Sequence, residues 1–86
     1  MPDQYYAIYV PEKHMVLASN PNDLSSKSWV NIQDVDKYGF ILHLVHGLNT
    51  GPKLIIQFSG DVYLVLVDVD AGKLDFWHSY QLSSIT

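Results

Sequence analysis

The stretch Val62-Tyr63-Leu64-Val65-Leu66-Val67-Asp68-Val69 constrains the fold of this chain more than any other. It is dense in β-branched, aromatic and leucine side chains, which suit a pleated strand. Turn-forming residues bound it on both sides, Ser59-Gly60-Asp61 before and Asp70-Ala71-Gly72-Lys73 after. Further β-like runs lie beyond each turn, LIIQF at 54–58 and LDFWHSYQL at 74–82. Residues 54–82 therefore read as a three-stranded antiparallel meander.

Side chains alternate faces along a strand, so the loop lengths decide which residues share a face. A two-residue first loop and a four-residue second loop place Tyr63, Val65, Val67, Val69, Leu74, Phe76, His78 and Tyr80 together as a core face. The opposite face is mixed. It carries an apolar patch of Ile55, Leu64, Leu66 and Trp77, and a polar end with Asp68, Asp70 and Asp75. A one-residue slip would bury Lys73, Asp75 and Ser79 among valines, which is costly without partners. The preferred register has one unfavourable feature, since it opposes Asp68 to Asp75; Lys73 or a cation would have to offset that repulsion.

Upstream, Tyr5 to Val10 alternate, Pro11 stops the ladder and His14 to Ser19 return as a second strand. Asn20 to Ser28 (NPNDLSSKS) reads as a loop. Residues 29–48 admit two readings. As β, WVNIQ leads through a turn at Asp36-Lys37-Tyr38-Gly39 into FILHLVH. As helix, Asp34 caps a stripe of Val35, Tyr38, Ile41, Val45 and Leu48. Helix formers are scarce, with three Ala, one Glu and no Arg in 86 residues, and Gly39 would sit inside the helix. The expected fold is thus mostly β: one domain over residues 1–86, a small antiparallel sandwich or barrel of six or seven strands ending in the meander. The alternative is α+β, with one helix near 34–48.

Charge and composition narrow the function. Nine acidic residues face five Lys, giving a net charge of −4. With no Arg and no basic cluster, neither nucleic acid nor an anionic membrane is an expected partner. There is no cysteine, hence no disulfide and no thiolate metal site. No leader sequence and no run of about 20 apolar residues is visible. These features point to the cytoplasm.

No motif carries chemistry. Gly-x-Ser-x-Gly, a glycine-rich phosphate loop and a Cys nucleophile are all missing from the sequence. His43 and His46 would share a face on a helix but lie on opposite faces of a strand. The expectation is a protein that is not an enzyme and needs no cofactor or metal. Its reading is a protein-interaction module or small regulator, self-associating as a homo-oligomer through Trp77, Leu64, Leu66 and Ile55, because Trp is enriched in interface hot spots. The alternative is a ligand-binding or lectin-like β domain. It would use Trp29 with Asp68, Asp70 and Asp75, assisted by Ca²⁺, which takes oxygen ligands.

Overall fold

The computed structural model describes residues 4–47 and 62–81. The protein is mostly β, as the residue pattern requires. Among the described residues, seven strands form one antiparallel sheet, accompanied by a single α-helix. The strands are β1 (Tyr5–Val10), β2 (Met15–Asn20), β3 (Asp23–Asn31), β4 (Ile41–Leu42), β5 (Leu44–His46), β6 (Tyr63–Asp68) and β7 (Lys73–Gln81); the helix α1 is Ile32–Tyr38. The main path of the sheet runs β3-β2-β1-β6-β7, with β4 added to β2 and β5 to β1. The expected first strand of the meander, at 54–58, lies outside the described residues. Among the described residues no helix is long and apolar enough to cross a membrane.

Pro11 begins a single 3-10 turn, Pro11–Lys13, which suits its fixed φ and absent N–H. His14 closes this turn in the left-handed region at φ 54°. Its N–H donates to the Pro11 carbonyl at 3.2 Å, and its carbonyl accepts from Ile32 N at 3.1 Å. Beyond the turn, β1 and β2 pair at Tyr9–Val16 and Val10–Met15 and then part. The strand 41–46 fills the fork. Its first half pairs with β2 (Ala18–Leu42, Ser19–Ile41) and its second half with β1 (Ala7–Leu44, Tyr6–Val45, Tyr5–His46). At the handover, His43 N donates to the Leu17 carbonyl at 3.0 Å.

Asn20 to Ser28, expected as a loop, contains a tight turn at Pro21-Asn22 and then the first part of β3. Asn20 Oδ1 accepts from Asn22 N at 2.8 Å, and Asp23 Oδ1 accepts from Ser25 N at 3.2 Å. Such short polar side chains close turns locally. The serines then sit on an exposed outer strand, where polar side chains cost nothing and discourage edge pairing. Both readings of 29–48 are half right. The chain stays β through Asn31, makes the short helix α1, and returns to β at Ile41. Asn31, rather than Asp34, caps the helix, with Oδ1 accepting from Gln33 N at 3.0 Å. Gly39 ends it at φ 71°, with its N–H on the Val35 carbonyl, so it lies after the helix instead of inside it.

The β6–β7 register also differs from the expected one, and the difference removes the like-charge conflict. Asp68 pairs with Lys73, Val67 with Leu74 and Leu66 with Asp75. Past that point Val65 pairs with Ser79 and Leu64 with Tyr80. Phe76, Trp77 and His78 are therefore extra residues on β7, a wide bulge.

The core lies on both faces of the central strands. On one face Tyr6, Ile8, Val10, Val62 and Leu64 cluster, with Leu17, Trp29, Val45 and Leu66 packed against them. On the other, Ala7, Val16, Ala18 and Val65 are wholly buried. Leu64 is wholly buried and faces Ile8 across the β1–β6 ladder. Replacing it with Ala leaves a cavity that the sheet cannot close, so Leu64→Ala should lose about 2–5 kcal/mol in urea unfolding. A loss below about 1 kcal/mol would mean that Leu64 is not a core residue.

Candidate functional site

Two surfaces stand out, and both involve the β6–β7 hairpin. The first is the bulge. Asp75 holds it from within the strand: its Oδ1 accepts from Trp77 N at 3.1 Å, and its Oδ2 lies 2.8 Å from His78 Nδ1. A carboxylate only accepts, so in this contact Nδ1 carries the hydrogen. One side chain thus ties down two of the three extra residues. The result is an indole standing away from the body of the sheet, with Trp77 95% exposed. Phe76, half in solvent, packs its ring edge-on to Tyr9 with centroids 5.1 Å apart, which anchors the other side of the bulge. Val69 and Tyr80 of the same hairpin are also exposed.

The second surface is a groove of about 300 Å³ between α1 and the turn end of the hairpin. Val16 and Leu42 of the sheet, Ile32 and Val35 of α1, and Val67, Leu74 and Phe76 of the hairpin line it, with Gly72 beside them. Among the described residues, Asp36 and Lys73 supply its charged groups.

The residues singled out from sequence are distributed as follows. Trp77 is on the surface, but Leu64 is in the core and Leu66 is packed against it, so these three do not form one exposed patch. Ile55 lies outside the described residues. Trp29 is half-buried on β3, at the opposite end of the sheet from β7. Asp68 is drawn into the hairpin turn, where Oδ1 accepts from Ala71 N at 3.1 Å, and Asp75 is committed to the bulge. Among the described residues no three His, Asp or Glu side chains converge as metal ligands. His43 and His46 fall on one extended strand and face opposite ways; the His46 ring stacks on Tyr5 at 5.1 Å.

Sequence reasoning missed the groove. Its banks are more than thirty residues apart in the chain, and its clearest local signal is the apolar spacing of Ile32 and Val35 in a short helix. It also missed the bulge, although an Asp two residues before Trp77 and three before His78 is the local pattern that builds it.

Among the described residues, two groups have displaced proton affinities. Burial, and secondarily the neighbouring Tyr80, raises the Tyr6 phenol above its ordinary value. Burial, and secondarily the cation of Lys27, lowers the His43 imidazole below 6.5. No protein-family model, curated protein or solved structure matches the chain.

Two predictions follow from this geometry. Asp75→Ala should release the bulge, speeding hydrogen exchange of the Trp77 amide while leaving Val65 protected, at a cost near 1 kcal/mol. Unchanged Trp77 exchange would show that Asp75 does not hold it. For His43, the unfolded chain binds the proton more tightly than the folded one. Its contribution to stability is therefore complete above pH 6.5 and is lost as pH falls from there to the lower folded value. Urea midpoints measured across that range should rise with pH, and His43→Gln should flatten the rise; an identical slope in the variant would refute the assignment.

Proposed function

We propose that the protein is a non-enzymatic interaction module that associates with copies of itself through the Trp77 side of the sheet. The observation that carries this reading is the near-complete exposure of Trp77 on a bulge that is internally tied. A large aromatic held in place loses little conformational freedom on docking, and its burial is strongly favourable. Phe76, Val69 and Tyr80 add apolar surface on the same hairpin. The indole makes no contribution to the core cluster, so recognition and folding are served by different residues. The absence of cysteine suits work in the cytoplasm.

Trp77→Ser should weaken self-association about 30-fold, a hot-spot loss near 2 kcal/mol, with the far-ultraviolet circular dichroism unchanged. Sedimentation equilibrium over a wide concentration range checks this. A wild-type chain that stays monomeric at millimolar concentration, or a variant that associates as tightly as the wild type, would overturn the reading.

A further inference from the structure

The groove between α1 and the β6–β7 hairpin shares Phe76 with the bulge that carries Trp77 but has a chemistry of its own. We infer that it is a binding site for a small zwitterion with an apolar body, an apolar α-amino acid. Its volume, about 300 Å³, is at the small end of the range for ligand pockets. A single amino acid fits within that volume. The walls are aliphatic and aromatic: Ile32 and Val35 on the helix bank, Val67, Leu74 and Phe76 on the hairpin bank. They would take a branched or aromatic side chain and exclude water from it.

The polar groups decide the class of ligand. Asp36 comes from α1 and Lys73 from β7, so the two banks contribute opposite charges. Among the described residues no ion pair joins Asp36 to Lys73. Each is therefore available for an opposite charge on a ligand, the carboxylate for an ammonium and the ammonium for a carboxylate. An α-amino acid carries both groups on one carbon beside its side chain. A purely cationic or purely anionic amphiphile would satisfy one bank and meet a like charge at the other.

The test is a titration of isotope-labelled protein with L-leucine and with L-phenylalanine, followed by methyl resonances. Saturable shifts are expected at Val35, Val67 and Leu74, with Ile8 and Val10 of the core unmoved. 3-Phenylpropionate and phenethylamine, which each lack one charge of phenylalanine, should bind at least tenfold more weakly. Asp36→Asn and Lys73→Ala, both on the surface, should each weaken phenylalanine at least tenfold, and Val35→Trp should fill the groove and abolish the shifts. No saturable shift with either amino acid would overturn the inference. So would equal binding of the two single-charge analogues, or undiminished binding by all three variants.

Discussion

The fold depends on the hydrogen-bond ladder of β1. Ala7, Ile8 and Val10 are wholly buried, so their backbone groups cannot rely on water. An unpaired buried N–H or carbonyl costs about 1–3 kcal/mol. On one side β6 pairs with β1 continuously from Tyr5 to Tyr9. On the other, partners come from two different strands, β2 beside the turn and β5 at the far end. The rest of the sheet extends outward from this strand, and among the described residues its outermost members β3 and β7 carry most of the exposed positions.

Legibility in the sequence followed the range of the forces involved. The β1–β2 turn at Pro11, the hairpin turn near Gly72 and the β character of 63–68 are set by residues adjacent in the chain, and all can be read directly. Gly39 was legible as a break, but whether a turn or a helix preceded it depended on Asn31, whose side chain caps the helix. The serine-rich stretch after Asn20 reads as a loop by propensity; it becomes a strand because β2 offers it a ladder. The alternation of β7 gave the right faces next to the turn and the wrong ones beyond Asp75, since three bulged residues reverse the parity. A face assignment that carries through a bulge cannot be made from alternation alone. That is why Trp77 was grouped with Leu64 and Leu66, which the structure separates from it.

The hairpin β6–β7 is put to two uses. Near its turn, Val67, Leu74 and Phe76 form one wall of a groove; a few residues on, Trp77 projects into solvent. The reversal of parity makes this possible. A regular strand would keep residues before and after Asp75 on the same two faces by alternation, whereas the three extra residues exchange the faces, so that Tyr80 comes opposite Leu64 and Ser79 opposite Val65. Asp75 is the pivot between them. Its position opposite Leu66 and its two local contacts fix where the regular ladder ends.

The fork between β1 and β2 has a consequence for how the chain reaches its native state. Extending the register of Tyr9–Val16 would bring Ala7 opposite Ala18 and Tyr6 opposite Ser19. No steric or electrostatic feature of those pairs forbids it. A fully zipped hairpin is thus a competitor that uses the native register and differs from the native sheet in leaving no room for 41–46. It is also entirely local, and hairpins form within about 1–10 μs. Residues 41–46 come from further along the chain and bring a larger loop-closure cost. Folding must therefore hold the two strands apart until the third arrives, or else reopen them. Val45, packed against the core cluster, and Leu42, half-buried beside α1, are the residues whose packing rewards the open form.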